Sequence, residues 1–469
     1  MSLRSFDESV RLLHDRINLE RLQSFTPQDL EGRLDSLRNI LDSLGNPETA
    51  YRTVHITGTK GKGSTCIMLE SILREEGWRV GRFTSPHLYS FTERLMIDGT
   101  ACSPDDFAEL FFSVYERIEP NTFQSLTYFE VLTLLAFVHF AQKQVDVAIF
   151  EVGLGGRLDA TNLCQPDVSV ITSISFDHML QLGPTLADIA REKSGIIKPG
   201  APVVTTVLLS EPQEVIRDKT NSLGLPLFVL DEHFFVLCRN HPYPSNGGEI
   251  LQYTFQYKTS PQFPVKLTLD GLSLKMPGAH QIDNAAAAIS AFLLLHQAGK
   301  PLDTESILRG LRKASIPLRV EVFRPSDGSP TFVFDGAHNR SSMQAFVKTV
   351  TELFPHRRLL LIFGASLGKD VEGMFAEIAG RFQHIFLTQC SESNRRFPPQ
   401  ELRAMLEDTP ETSIAVVDDC QVAWKQCERM AEAEDVISVT GSLYLAAELR
   451  KYFLEHFNMD DNRPQGFYR

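Results

Sequence analysis

The chain contains 469 residues, of which 43% are hydrophobic and 22% are charged, and its formal net charge is −13. This length predicts two or three domains, each able to bury its own core. The acidic balance argues against sequence-independent binding to nucleic acid, which needs a basic surface, but it leaves ATP open because backbone N–H groups can hold phosphates on an acidic protein.

The cysteines and the apolar stretches predict a cytoplasmic protein. The seven cysteines are scattered and form no Cys-x-x-Cys pair, which fits neither a disulfide framework nor a zinc site and suits a reducing compartment. The N-terminus is polar and carries an early acid, so we expect no signal peptide. The longest apolar stretch, 131–141, is shorter than the roughly 18 residues that a membrane span needs.

The first strong motif in chain order is a glycine-rich turn. Residues 5–45 have helical apolar spacing, and a short apolar strand, 53–56, then enters Thr57-Gly-Thr-Lys-Gly-Lys-Gly-Ser64 and a helical pattern. This context predicts a phosphate loop, because a helix start presents unpaired N–H groups and glycines let a polyphosphate approach. Lys62 would add a positive charge at the β- and γ-phosphates. The glycine between Lys62 and Ser64 departs from the usual loop, and a simple turn is the alternative.

Strands and helices alternate through the next part of the chain, which predicts an open, mostly parallel sheet. Strands are expected at 79–83, 145–150, 167–173 and 203–207, and helices at 127–140 and 186–195. From 231 to 275, aromatic and β-branched residues alternate with polar ones around turns at 242–248 and 260–264. This second pattern predicts a small antiparallel lobe.

Ile316-Pro-Leu-Arg319 interrupts the helical pattern that precedes it, and we predict a boundary between domains 1–315 and 316–469 there. The α/β alternation then restarts. Strands are expected at 331–334, 359–363, 384–387, 414–417 and 435–439. The predicted fold class is therefore α/β in both domains.

Polar residues at strand ends are the candidates for chemistry, because ligands bind beyond the carboxyl ends of strands in an open parallel sheet. Glu151 and Asp177-His178 follow two such strands. A carboxylate after an apolar strand is costly unless it is paired or binds a metal, and Mg²⁺ is the natural candidate beside phosphates. The alternatives are a strand-end salt bridge for Glu151 and a buried, hydrogen-bonded histidine for His178. Lys193, among acids on a helix, suggests a solvated surface lysine, and Asp335-Gly-Ala-His-Asn339 suggests either a ligand contact or a helix cap.

Together these residues resemble the folylpolyglutamate synthase/dihydrofolate synthase family, the folate branch of the Mur ligases. The matching motifs are Leu19-Glu-Arg21, Gly61-Lys-Gly-Ser64, Thr84-Ser-Pro-His-Leu88, Thr127-Tyr-Phe-Glu130, Glu151-Val-Gly-Leu-Gly-Gly-Arg-Leu-Asp-Ala-Thr-Asn162, Asp335-Gly-Ala-His-Asn339 and Thr440-Gly-Ser-Leu443. They extend over nearly the whole chain. The glycine after Lys62 becomes a marker of the folate branch, since peptidoglycan ligases place Ser or Thr there.

The resemblance implies a role for each matching residue. The ATP contacts would be Thr59, Lys60, Gly61, Lys62, Gly63, Asn284, Arg319 and Asp335. The ligands of Mg²⁺, one ion or two, would be Ser85, Glu151 and His178, so that Ser85 and not Ser64 is the metal serine. The pterin pocket would consist of Thr127, Tyr128, Phe129, Glu130, Leu158, Asp159 and Ala160. The catalytic set would be Lys62, Lys193 and His338, with Lys193 carbamylated to N6-carboxylysine as an extra metal-binding carboxylate.

Three positions depart from the family pattern. Lys60 replaces a frequent asparagine, and Pro317-Leu-Arg319 replaces the usual Pro-Gly-Arg. Gly368 stands where an aspartate often does, so no role is assigned to the loop Gly364–Asp370.

The resemblance implies an ATP-dependent ligase of folate biosynthesis and one-carbon metabolism. It would add L-glutamate to dihydropteroate or to folate polyglutamates through an acyl phosphate, and release ADP and phosphate. Domain 1–315 would be the ATP-binding domain of Mur ligase central type, and 316–469 a Rossmann-like glutamate ligase domain. We expect a monomer that binds small molecules but neither nucleic acid nor a membrane. The alternatives are a peptidoglycan-type amino-acid ligase and a nucleotide-binding protein without ligase activity.

Overall fold

The computed structural model describes residues 5–18, 32–237, 251–258, 266–296, 302–325, 328–391, 396–406 and 412–459. Leu19-Glu-Arg21 and the rest of the predicted helical stretch 19–31 lie outside these residues, as do the turns predicted at 242–248 and 260–264.

The N-terminal part, up to residue 315, alternates strands and helices as predicted, and its predicted strands lie within two residues of the observed ones. Its elements are α1 (Phe6–His14), α2 (Arg33–Leu44), β1 (Arg52–Thr57), α3 (Lys62–Glu75), β2 (Val80–Phe83), β3 (Leu95–Ile97), β4 (Thr100–Ala101), α4 (Pro104–Tyr115), α5 (Pro120–Ser125), α6 (Tyr128–Gln142), β5 (Val147–Glu151), β6 (Val168–Ile171), α7 (Met179–Leu182), α8 (Leu186–Lys193), β7 (Val203–Thr205), α9 (Ser210–Ser222), β8 (Leu227–Val229), β9 (Phe234–Leu237), β10 (Leu251–Tyr257), β11 (Leu267–Leu274), α10 (His280–Leu295) and α11 (Thr304–Lys313).

Eight of these strands form the first sheet, in the order β4-β3-β2-β5-β1-β6-β7-β8. β1 pairs in parallel with both β5 and β6, so the ends of these three strands lie side by side. Only the β3–β4 hairpin runs antiparallel to its neighbours. β3, β4 and β8 have two or three residues each, too few for a periodic pattern to reveal.

Helices cover both faces of the first sheet, which explains why β1 and β5 are almost wholly buried. One core contains residues of α3, α10 and α11, and the other contains residues of α2, α4 and α6. Ala285–Ala288 of α10 are fully buried there, and their small side chains let α10 approach α3 closely. No helix in the described ranges has the length and apolar character that crossing a membrane requires.

The predicted antiparallel lobe is confirmed as a three-stranded sheet in the order β11-β10-β9. Its buried face, which includes Phe234, Phe255 and Leu272, belongs to the same core as α10 and α11. The lobe is therefore attached to the face of the first sheet that α3 covers.

The C-terminal part, from residue 316, is a second α/β unit with a six-stranded sheet in the order β12-β13-β17-β14-β15-β16. Its elements are β12 (Glu321–Phe323), β13 (Thr331–Phe334), α12 (Arg340–Leu353), β14 (Leu359–Phe363), α13 (Val371–Ile378), β15 (His384–Gln389), α14 (Pro399–Met405), β16 (Ser413–Asp419), α15 (Cys420–Met430), β17 (Val436–Thr440) and α16 (Leu443–His456). The five predicted strands are confirmed, and β12 is a short antiparallel edge strand that the sequence did not reveal. The α/β fold class is confirmed in both parts.

Candidate active site

The predicted phosphate loop is the turn between β1 and α3, and it packs directly against α10. Gly61 has a backbone φ of +87°, in the region that favours glycine. A Cβ atom added to Gly61 would lie 2.2 Å from Oδ1 of Asn284. Asn284 itself donates from Nδ2 to Oε1 of Gln281 at 3.0 Å. The structure therefore brings Asn284 to the loop and leaves no room there for a side chain on Gly61.

Residues that follow β6 hold the loop in shape. The backbone N–H of Lys60 donates to Oγ of Ser173 at 2.9 Å, and Oγ1 of Thr172 donates to the carbonyl of Lys60 at 2.6 Å. The N–H of Thr59 donates to the carbonyl of Ser173 at 2.6 Å. The loop conformation is thus fixed by the protein, and the N-terminus of α3, where unpaired N–H groups and partial positive charge favour anions, follows it directly.

Lys62 and Lys193 line one cleft beyond the strand ends, with Thr57–Thr59, Val152–Gly155, Asp177 and His178 around them. Lys193 ends α8 and is only 4% exposed, so it is not the solvated surface lysine that its local sequence suggested. Burial lowers the pKa of Lys193 to about 7, and the nearby charge of Lys62 acts in the same direction. A large fraction of this amine is therefore neutral at neutral pH.

Glu151 is the last residue of β5 and is buried beside the phosphate loop. Its Oε2 accepts a hydrogen bond from the backbone N–H of Ser85 at 3.1 Å and lies 3.6 Å from where a Cβ on Gly63 would be. Burial raises the pKa of Glu151, whereas the charge of Lys62 and the N–H of Ser85 oppose the rise. Two predicted metal ligands, Ser85 and Glu151, therefore lie next to each other.

His178 follows the β6 strand end in a left-handed conformation (φ +51°), and its side chain is 56% exposed. It is thus not the buried histidine that was the alternative interpretation. Partial burial lowers the pKa of His178, against the pull of Asp177, which favours the neutral imidazole that can act as a metal ligand.

Asp177, a strand-end candidate to which the family resemblance assigned no role, lines the same cleft. Its Oδ2 lies 3.0 Å from Nζ of Lys60. Although burial opposes ionisation, Lys60 and His178 hold the pKa of Asp177 at about 2. The only sequence signal for this residue was its position beside His178 after β6.

The possible metal ligands at this strand-end edge suit an ion that also binds a nucleotide. Among the described residues, no three His, Cys, Asp or Glu side chains gather closely enough to hold a metal on their own. Mg²⁺ takes few protein ligands and completes its shell with water and phosphate oxygens. The carboxylate of Glu151, the hydroxyl of Ser85 and the neutral imidazole of His178 suit that arrangement.

In the C-terminal part, Arg319 lies in a tight turn with unusual backbone angles. Leu318 has φ +55° and Val320 has φ +47°, both in the left-handed region that L-residues avoid. This geometry explains why a glycine is usual before the arginine. Leu318 instead places its side chain, which is 1% exposed, in the core beneath α15 and α16.

Asp335, at the end of β13, supports this turn. Its Oδ2 accepts from the N–H of Val320 and its Oδ1 from the N–H of Ala337, both at 2.8 Å. Burial raises the pKa of Asp335 to about 6, against the charge of Arg319. The helix cap that was the alternative for this motif also exists, since Oδ1 of Asn339 accepts from the N–H of Ser342 at 2.9 Å.

His338 belongs to the same strand end. Its Nδ1 lies 2.8 Å from the carbonyl oxygen of Gly336. Burial lowers the pKa of His338 to about 4, and the charge of Lys369 contributes. The imidazole is therefore neutral at physiological pH.

Electrostatic coupling joins the two strand-end sites. The charge of Arg319, in the C-terminal part, lowers the pKa of Glu151 and of Lys60, in the N-terminal part. The charge of Lys369, in the loop to which the sequence assigned no role, lowers the pKa of Asp177 and of His178. Arg319 and Lys369 thus face the N-terminal site from the C-terminal part.

Three of the seven residues predicted for the pterin pocket, Thr127, Tyr128 and Glu130, form a buried helix start. Oγ1 of Thr127 accepts from the N–H of Glu130 at 3.2 Å, while Oε2 of Glu130 accepts from the N–H of Thr127 at 2.7 Å, which is a capping box at the start of α6. Glu130 also pairs with Nε of Arg33 at 2.6 Å. Tyr128 is 3% exposed and lies beneath Arg94.

The remaining pocket residues lie beside the β5 strand end. Phe129 is partly buried, with its ring 5.6 Å from that of Phe83. Oδ2 of Asp159 accepts from the N–H of Leu154 at 3.0 Å, and burial raises the pKa of Asp159. Leu158 is half-buried and Ala160 is buried. This group therefore borders the segment Val152–Gly155 that lines the cleft.

Comparison with protein families gives two consecutive matches. Residues 56–292 match the Mur ligase middle domain, and residues 318–443 match the glutamate ligase domain of the Mur ligases.

Known relatives resemble the chain over most of its length. It is 32% identical over 424 residues to the dihydrofolate synthase/folylpolyglutamate synthase of Bacillus subtilis, covering 89% of this chain and 94% of that protein. The folylpolyglutamate synthase of Thermotoga maritima superposes with a TM-score of 0.79 at 30% identity, over 95% of this chain and 96% of that one. A bifunctional folylpolyglutamate synthase/dihydrofolate synthase with Mn, AMPPNP and L-glutamate bound has a TM-score of 0.75 at 31% identity, over 90% and 94%.

Proposed function

This chain belongs to the folylpolyglutamate synthase/dihydrofolate synthase family of Mur ligases, and we propose that it uses ATP to join L-glutamate to a pteroyl substrate. The observation that carries the proposal is that the phosphate loop, Glu151 and Lys193 share one strand-end edge, which Arg319 faces from the C-terminal part. Folate-enzyme relatives support a pteroyl acceptor and argue against a peptidoglycan-type ligase.

The first step is attack by a carboxylate of the pteroyl substrate on the γ-phosphate of ATP, which gives an acyl phosphate and ADP. Two anions must approach each other, so positive charge is the main requirement. Lys62, Lys60 and Arg319 supply it, together with the N-terminus of α3. Mg²⁺, when held by Ser85, Glu151 and His178, would neutralise further phosphate charge.

In the second step, the neutral amine of glutamate attacks the acyl carbon, and the tetrahedral intermediate releases phosphate. The acyl phosphate is easily hydrolysed, so water must be kept out while glutamate binds. We assign this task to closure of the parts 1–315 and 316–469 around the cleft, with Arg319, Asp335 and His338 contacting the nucleotide from the C-terminal side.

Carbamylation of Lys193 forms part of the proposal. A lysine must be neutral to react with carbon dioxide, and the lowered pKa of this buried amine, about 7, favours that form. The resulting carboxylate would lie in the cleft beside Lys62 and His178.

For the pteroyl group, we assign the contacts to Phe129, Leu158, Asp159 and Ala160. The capping box of Thr127 and Glu130 and the buried ring of Tyr128 instead hold the shape of that wall.

We also propose a monomeric, cytoplasmic enzyme. The six cysteines in the described ranges are buried, and no disulfide joins any two of them, in keeping with a reducing compartment.

Phosphate release by the purified enzyme tests this function. Dihydropteroate, a reduced folate monoglutamate and a nucleotide-sugar peptide would each be offered with and without L-glutamate. We expect ATP- and Mg²⁺-dependent release that requires glutamate and one of the two pteroyl substrates together. Release that requires only the nucleotide-sugar peptide, or no release under any of these conditions, would contradict the proposal.

A further inference from the structure

The loop that carries Ser85 docks on the C-terminal part. Leu88 and Tyr89 pack against the core formed by the six-stranded sheet with α15 and α16. The hydroxyl of Tyr89 accepts a hydrogen bond from Nη1 of Arg450 at 3.1 Å. The proposed metal loop of one part therefore contacts a specific side chain of the other.

Arg450 continues this connection to a carboxylate. It lies on α16 and is 4% exposed. Its Nε and Nη2 donate to Oε2 and Oε1 of Glu321, at 2.6 and 2.8 Å. Such a two-point pair fixes both side chains in orientation as well as distance.

Glu321 ends the connection at the turn that carries Arg319. Its Oε2 also accepts from the backbone N–H of Leu318 at 3.1 Å. Leu318 and Val320 flank Arg319, and each has a positive φ, a conformation that is unfavourable for an L-residue. A turn of this kind persists only where its surroundings hold it. Glu321 holds its first residue and Asp335 holds its third.

Building on the ATP-dependent function proposed above, we infer that Arg450 is a positioning residue for the nucleotide. Through Glu321 it fixes the turn of Arg319, and through Tyr89 it fixes the loop of Ser85. Arg450 touches neither ligand. It nevertheless fixes the relative positions of Arg319, proposed to contact ATP from the C-terminal part, and Ser85, proposed to bind Mg²⁺ from the N-terminal part.

Two variants weaken this connection in steps. Tyr89→Phe removes one hydroxyl and keeps the ring that packs on the C-terminal core. Arg450→Lys keeps the positive charge but cannot make the two-point pair and reach Tyr89 at once. Because the connection acts on groups that bind the nucleotide in ground state and transition state alike, the KM for ATP should rise more than kcat falls.

Two matched controls separate positioning from ordinary stability. Tyr51→Phe removes a hydroxyl that donates to the carbonyl of Phe137 at 3.3 Å, away from the cleft. Arg358→Lys breaks the two-point pair of Arg358 with Asp435, at 3.0 and 2.5 Å, at the N-terminal ends of β14 and β17 in the same sheet. Both controls lose the same kind of contact without any connection to Arg319.

The measurements are KM for ATP, the apparent Mg²⁺ requirement, KM for glutamate, the thermal midpoint, and the Kd of a non-hydrolysable ATP analogue by calorimetry. We expect Tyr89→Phe to raise KM for ATP and Kd about threefold to tenfold, and Arg450→Lys to raise them about tenfold or more, as loss of hydrogen bonds to charged groups does. The Mg²⁺ requirement should rise with them, KM for glutamate should stay nearly constant, and the effects of the two variants should not add in the double variant. The controls should lower only the thermal midpoint.

Unchanged nucleotide affinity in both Tyr89→Phe and Arg450→Lys, or an equal loss in Arg358→Lys, would overturn the positioning role. Failure of the proposed function is distinguishable, because the wild type would then release no pteroyl- and glutamate-dependent phosphate, whereas analogue binding would still report on Arg450.

Discussion

Gly61→Ala tests whether the phosphate loop depends on the close approach of α10. The added Cβ atom would lie 2.2 Å from Oδ1 of Asn284 and 3.0 Å from its Cγ. Atoms in ordinary van der Waals contact are more than 3 Å apart, so the loop and the Asn284 amide must separate by about 1 Å. If Asn284 yields, it loses its hydrogen bond to Gln281; if the loop yields, the N–H groups that face the phosphates move.

Gly77→Ala is a matched control for the backbone. Gly77 has the same φ, +87°, and nothing lies within 4 Å of an added Cβ atom. The left-handed conformation should cost either variant about 1–2 kcal/mol of the free energy of unfolding. Gly61→Ala should lose about 1 kcal/mol more, because a hydrogen bond is broken. Displaced N–H groups lose hydrogen bonds to the charged phosphates, each worth about 1.5–3 kcal/mol, so we expect a loss of nucleotide affinity of about tenfold to a hundredfold in Gly61→Ala alone.

Urea unfolding and calorimetric titration with a non-hydrolysable ATP analogue measure these two quantities separately. We expect both variants to unfold at lower urea, while Gly77→Ala binds the analogue as the wild type does. Wild-type affinity in Gly61→Ala would refute the reasoning, because the loop would then tolerate a side chain where Asn284 now lies.

Three further predictions concern charged groups of the site. Lys62→Ala should lower kcat/KM at least about a thousandfold by removing charge from the phosphates, with circular dichroism and the thermal midpoint unchanged; near-normal turnover would exclude the role of Lys62. Lys193→Ala should lose activity and regain part of it with added short carboxylic acids, whereas full activity without them would exclude a carbamate. Burial raises the pKa of Asp335 from 3.8 to about 6, so its contribution to stability is complete below about pH 4 and is lost as the pH rises through 6. The free energy of unfolding of the wild type, relative to that of Asp335→Asn, should therefore fall by up to about 3 kcal/mol between pH 4 and 7. A pH-independent difference between the two proteins in urea unfolding would contradict this.

The strand-end residues were predictable because sheet topology converts sequence order into proximity. Apolar runs located β1, β5 and β6, and parallel strands present their carboxyl ends at one edge. Glu151 and Asp177-His178 therefore had to meet the phosphate loop wherever these strands paired. The resemblance to the folate branch added Ser85 and Lys193, which no local pattern distinguished from ordinary loop and surface residues.

What the sequence did not reveal depends on contacts between distant segments. Lys193 is buried because α8 packs against the β5 and β6 strand ends, and the acids beside it in the sequence suggested solvent instead. Lys369 and Arg450 act on residues that are more than 100 positions away in the sequence. The edge strands β4 and β12 are too short for periodicity, so only pairing with their neighbours defines them.

Leu318 has a consequence for how this chain can change. A glycine there would relieve the left-handed backbone, a gain of about 1 kcal/mol, but it would empty a buried leucine site at a cost of about 2–5 kcal/mol. Substitutions that reshape the core beneath α15 and α16 therefore act on Leu318, the residue next to Arg319. Leu318 therefore couples evolutionary change in the hydrophobic core of the C-terminal part to change in nucleotide affinity.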